Sequence, residues 1–237
     1  MQTLKVLSLL LAYPRDELWD GFGEMRQILA DEALLPEGAR REVEALIDSL
    51  ETSEPMHAQS AYVGLFDRGR HLSLHLFEHL IGESRDRGAA MVNLVEHYRA
   101  CGYQLAAREL PDYVPLVLEF LSLRPREEAE EMLGEAMPVL TLLGERLRQR
   151  DSLYAAPFEA LQAVFGEAED AERLRRMAAE EGPDETVTRM DDIWEEEQVT
   201  FMPGPDGQGC PATESSQPTT QTVQWVERPR RATAPNG

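Results

Sequence analysis

The amino-acid sequence predicts an all-α protein: one helical-bundle domain with an acidic extension and a disordered C-terminal tail. Three observations carry that expectation. Apolar residues recur along most of the chain at the three- and four-residue spacing of one helix face. No stretch alternates apolar and polar residues strictly enough to read as a strand. After Gly166 the composition turns acidic, and after Met202 it turns to Pro, Gly, Ser, Thr and Gln.

The elements follow in order. Leu4 to Ala12 is an apolar run too short to span a bilayer, with a single basic residue, Lys5, and no convincing cleavage site. It reads as a buried first helix in preference to a signal peptide. Leu18, Phe22, Met25 and Leu29 form a second stripe, and Val43, Leu46, Ile47 and Leu50 a third. Met91, Leu94, Val95, Tyr98 and Cys101 form another, which Gly102 closes at a C-cap position. Asp112 is placed to N-cap a helix carrying Val114, Val117, Leu118 and Leu121, with Pro115 harmless in its first turn. A long helical region from Pro125 to about Arg150 contains Pro138, which should kink or divide it. Leu153 to Phe165 ends at Gly166. The expected organisation is a helical domain over residues 1–166, a loosely attached, partly helical acidic extension over 167–202, and a disordered tail over 203–237. Within the extension, Ile193, Trp194, Val199, Phe201 and Met202 form an apolar cluster around an acidic run.

Charge narrows the function. A formal net charge of −21 repels phosphate backbones and anionic lipid surfaces, so neither nucleic acid nor membrane insertion is expected, and basic partners are favoured. The two cysteines, Cys101 and Cys210, lie far apart and point to a reducing compartment. Cys101 sits at a core-like position and reads as a small buried hydrophobe. Cys210 lies in the tail and carries no assigned role.

The sharpest enzyme-like signal is His75-Leu76-Phe77-Glu78-His79, which fits the HxxEH pattern of inverted zinc peptidases. On a helix, His75 and His79 would share one face and bind zinc, with Glu78 as general base and His71 one turn earlier. Against that stands the spacing of Leu72, Leu76, Phe77 and Leu80, which already explains the stretch as a packed amphipathic helix. No third ligand stands out, and no metal or cofactor is expected. Two charged loops flank the segment, Asp67 to Arg70 and Glu83 to Gly88. They read either as a structural salt-bridge network or as a recognition surface. Phosphate loops, nucleotide fingerprints and nucleophile elbows are absent from the sequence.

The run Tyr62-Val63-Gly64-Leu65-Phe66-Asp67-Arg68-Gly69-Arg70, continuing through Ser73, Leu74, Leu76 to His79 and Gly82 to Gly88, resembles one family closely. That family is the nitrate reductase molybdenum cofactor assembly chaperones, the NarJ proteins, also called nitrate reductase delta subunits. Ala90-Met91-Val92, Arg108 to Asp112 and Trp194 to Val199 agree with it, and the resemblance covers residues 1–202. One position departs: Tyr113 stands where the family carries His, so a proton-linked role there is in doubt.

The resemblance implies an all-helical cytoplasmic chaperone without cofactor or catalysis. It would bind the N-terminal segment of the apo catalytic subunit of respiratory nitrate reductase and hold it for molybdenum cofactor insertion. It would not remain in the finished membrane complex. Contact with molybdenum cofactor delivery proteins is left open, and two competing classes remain: a zinc hydrolase and a permanent structural subunit. An acidic protein suits a basic amphipathic peptide helix lying in an apolar groove. The candidate groove takes Tyr62, Leu65 and Phe66 from one helix, Phe77 and Leu80 from the next, and Tyr113, Leu116 and Glu119 from the helix after Pro111. Asp67, Glu83, Asp112 and Glu119 would pair with basic peptide residues. Phe66 and Phe77 read equally well as core.

Overall fold

A computed structural model describes residues 1–81, 85–105 and 109–182. The described residues form ten α-helices and one 3₁₀ turn, and the only β pairing among them is an isolated bridge between His75 and Tyr113. Glu83, the cluster from Ile193 to Met202 and the tail from residue 203 lie outside the described residues.

The first helix, α1 (Gln2–Leu11), is the centre of the fold and not a surface element. Leu4, Val6, Leu7, Leu10 and Leu11 are all 1% exposed or less. At about 25 cal/mol per Å² of apolar surface, each such side chain contributes roughly 2 kcal/mol. It packs against α7 (Val114–Ser122), in which Val114, Pro115, Val117, Leu118, Phe120 and Leu121 are buried. The Ser8 hydroxyl donates to the Pro115 carbonyl at 2.6 Å, satisfying a buried polar group at the crossing.

Around this pair stand α2 (Glu17–Glu32) and α3 (Glu37–Thr52), which bury the two stripes read from the sequence, Leu18/Phe22/Met25/Leu29 and Val43/Leu46/Ile47/Leu50. The second wall is α8 (Arg126–Arg148) with α9 (Ala156–Phe165), the latter closed by Gly166 at φ 92°. That conformation favours glycine.

Pro138 neither ends nor divides α8. An interior proline costs about 3 kcal/mol. Here both halves are anchored, Ala129 and Leu133 before it and Val139, Leu140, Leu143 and Leu147 after it, all buried. Several buried aliphatic side chains outweigh one lost backbone hydrogen bond.

The acidic, partly helical extension expected from residue 167 begins within the described residues. Its first part is α10 (Ala171–Glu180), packed on α8 through Ala171, Leu174 and Ala178. Arg146 fixes its end, donating to both carboxylate oxygens of Glu181 at 2.5 and 2.7 Å and to the His71 carbonyl at 2.7 Å.

α4 (Pro55–Phe66), α5 (Leu76–Leu80) and α6 (Arg85–Ala100) complete the described helices. Gly102, at φ 86°, follows α6 as its sequence position suggested. The α6 stripe is only partly used: Tyr98 is fully buried, while Met91, Leu94, Val95 and Cys101 are half-buried.

Candidate functional site

Helix α1 has more apolar residues than its core face needs. Leu9 and Ala12 lie off that face, and with Tyr13 they form one wall of a cleft. Leu18, Gly21 and Met25 of α2 form a second wall, and Tyr113, Pro115 and Leu116 at the start of α7 a third. The cleft has a volume of about 440 Å³. Its rim carries Glu17, Glu109 and Glu119 against a single cation, Arg15. The Lys5 ammonium, just outside, pairs with Glu119, and both side chains are substantially exposed.

One end of the cleft is tied to the core by phenols. The Tyr113 and Tyr62 hydroxyls lie 3.0 Å apart, and Tyr62 donates to the Leu11 carbonyl at 2.9 Å. Burial pushes both phenols above their ordinary titration range. They act at neutral pH as uncharged hydrogen-bonding groups. Tyr113 also lies beside His75, with ring centroids 5.4 Å apart.

Behind that end sits Asp112, fully buried. One carboxylate oxygen accepts the Phe77 backbone N–H at 3.0 Å, and the other lies 3.3 Å from His75 Nδ1. Its carbonyl accepts the Leu76 N–H at 3.1 Å, and Val114 donates back to Leu74 at 2.8 Å. Asp112 therefore fastens α5 to the start of α7 and supplies the anion that the N-terminus of α5 favours. The hydrogen bond to Asp112 raises the His75 pKa, against the opposing effect of burial.

The groove residues chosen from the sequence separate into groups. Tyr113, Leu116 and Glu119 come together in the cleft. Tyr62 and Phe66 do not line it: they are 3% and 4% exposed and stack with Tyr154 at 6.0 and 5.2 Å. Leu65 and Phe77 are half-buried against the core, Leu80 is half-exposed, and Asp67 is exposed just after α4. Asp112 is neither an N-cap nor a surface charge. Tyr113 holds the N-cap position of α7, and the carboxylate beside it faces α5.

The premise of the zinc-hydrolase alternative also fails. His75 is the extended residue before α5, at φ −101° and ψ 111°, so His75 and His79 do not project from one helix face. His79 Nε2 lies 2.8 Å from the Ser73 carbonyl. Burial lowers the pKa of His79. Burial opposes the charge of Glu78, but hydrogen bonds from Ser73 and Arg87 outweigh it and lower its pKa.

Sequence reasoning missed the α1 and α2 walls of the cleft. The signal was present in α1, whose residues are apolar nearly all round and exceed what one buried face requires.

The described residues thus form a helical bundle with an open apolar cleft and an acidic rim. Comparison with known proteins supplies the family. The sequence profile of the nitrate reductase delta subunit family matches residues 32–160, more than half of the chain, and the chain belongs to that family. It is 44% identical over 202 residues to the nitrate reductase molybdenum cofactor assembly chaperone NarJ of Escherichia coli (strain K12), covering 85% of this chain and 86% of the relative. It is 40% identical over 205 residues to the probable assembly chaperone NarW of the same organism, covering 85% and 84%. The probable chaperone NarJ of Bacillus subtilis (strain 168) is 34% identical over 168 residues, covering 69% and 88%.

Proposed function

We propose that the protein is a cytoplasmic chaperone of nitrate reductase assembly, not an enzyme. It receives the N-terminal segment of the apo catalytic subunit in the cleft between α1, α2 and α7. The observation that carries this reading is the cleft itself, with an apolar floor of Leu9, Ala12, Met25 and Leu116 and a rim of three carboxylates. An amphipathic peptide helix would seat its apolar anchors on that floor and its basic residues against Glu17, Glu109 and Glu119. Its apolar face is then kept from water while the molybdenum cofactor is inserted, and the exposed rim lets it leave again. No helix among the described residues is long and apolar enough to cross a membrane.

The test is titration of the full chain with a fluorescent peptide of the catalytic subunit's N-terminus. Wild type should saturate at one peptide per chain. Leu116→Glu places a charge on the half-buried floor and should weaken binding at least about tenfold, since an unpaired buried charge costs more than 1.4 kcal/mol. Unchanged binding in a folded Leu116→Glu protein would remove the cleft from the reading.

A further inference from the structure

His97 lies in the last turn of α6, and Cys101 follows directly after that helix. The Cys101 N–H still bonds to the His97 carbonyl at 3.1 Å, so the helical path continues and both side chains share one face. Across from them stands Glu128 in the first turn of α8. His97 Nε2 lies 3.6 Å from Glu128 Oε1, and Cys101 Sγ lies 3.8 Å from the same oxygen. All three ligand atoms fall within 4.8 Å of one another, the one such three-donor group among the described residues.

We propose that His97, Cys101 and Glu128 form a binding site for a zinc-like divalent cation. Zinc takes nitrogen, thiolate and carboxylate ligands at roughly 2.0–2.3 Å in a tetrahedron, which sets ligand atoms about 3.3–3.8 Å apart. Two edges of the triangle already have nearly that length, so a turn of the Cys101 side chain toward His97 would close the third. The His97 ring is held in place by Phe120, with centroids 5.7 Å apart. Glu128 is oriented by Arg124, which donates to both carboxylate oxygens at 2.8–3.0 Å and lowers the carboxylate's pKa. Glu128 Oε2 keeps its guanidinium partner when Oε1 turns to the metal, the arrangement that positions a ligating carboxylate. Cys101 loses its thiol proton to solvent as the sulfur–zinc bond forms. The site is partly open to water, with the His97 side chain 46% exposed, so a water supplies the fourth position. The cation would clamp the end of α6 to the start of α8. It shares no residue with the cleft or with the His75–His79 segment.

The experiment is zinc titration of the untagged, reduced full chain in competition with a chelator of known affinity, with metal content measured after dialysis. Wild type should retain one zinc per chain. Cys101→Ser and His97→Ala should weaken retention at least about tenfold. Cys210→Ser and His79→Ala should bind as wild type. Cobalt in place of zinc should give a thiolate-to-metal charge-transfer band in wild type. The band needs no variant, so its absence overturns the site even where Cys101→Ser fails to fold. Retention by Cys101→Ser equal to wild type, or failure of wild type to hold zinc against the chelator, also overturns it.

Discussion

Asp112 just precedes α7 and Glu119 lies within it, and their surroundings are opposite. At the α5 end of α7, Asp112 is sealed from water and surrounded by a backbone N–H and an imidazole. At the cleft rim, Glu119 is exposed and paired with the partly exposed Lys5. A carboxylate in the first setting must keep its partners, because removing them leaves a charge that the interior cannot solvate. In the second setting the charge is replaceable, because water and salt already screen it. The α5 side of the protein thus uses its carboxylate to hold the fold, and the cleft side keeps its carboxylates at a solvent-exposed rim.

The largest effect should come from breaking the α5 side. Asp112→Ala leaves the Phe77 N–H and His75 without their acceptor in a buried site. It should destabilise the fold by about 3 kcal/mol. Chemical denaturation of the variant checks this, and a loss under 1 kcal/mol would mean that Asp112 is not the fastener described. Peptide affinity lost in the same variant would then report the fold and not the cleft.

A smaller effect attaches to His75. Its pKa is raised above 6.5 by Asp112, so the folded state binds the proton more tightly than the unfolded chain. That contribution is complete below the unfolded value and is lost as pH rises through the folded value. Glu78, Arg87 and Tyr113 face the same imidazole, with Glu78 supporting the charge and Arg87 opposing it. The melting-temperature advantage of wild type over His75→Gln should therefore be largest below about pH 6.5 and shrink as pH rises above it. An unchanged pH profile in that variant would detach the titration from this pair.

The contrast between the two carboxylates explains what the sequence could tell. Helices with one apolar stripe and a glycine stop, such as the one before Gly166, were legible because local spacing and a positive φ are local properties. The reach of α8 through Pro138 was not, because it depends on what both halves pack against. Asp112 and Glu119 have the same functional group, and only the approach of α5 from the preceding segment buries one of them. The cleft was half legible for the same reason. Tyr113, Leu116 and Glu119 lie on a recognisable helix, whereas Leu9 and Ala12 belong to a run that reads simply as core. Tyr62 and Phe66 read as an aromatic helix edge facing a groove, with core the equal alternative for Phe66, and Tyr154 from a distant turn packs against both in the core.

The smallest expected effect is the one that isolates the cleft. Glu119→Lys removes a rim charge and sets a second cation beside Lys5. Glu119 is exposed and Lys5 partly so, so the fold should change by no more than about 0.5 kcal/mol. Peptide affinity should drop several-fold, since a rim pair contributes roughly 0.2–1 kcal/mol and reversal adds a repulsion of similar size. Glu119→Gln should lose about half as much, because it removes the attraction without adding repulsion. Raising the salt from low to physiological strength, where the screening length shortens to about 8 Å, should weaken wild-type binding more than it weakens Glu119→Lys. Convergence of the two affinities at high salt would place a basic peptide residue within reach of Glu119. Parallel salt dependence would mean that the basic side of the peptide lies against Glu17 and Glu109, the other carboxylates of the same cleft, instead.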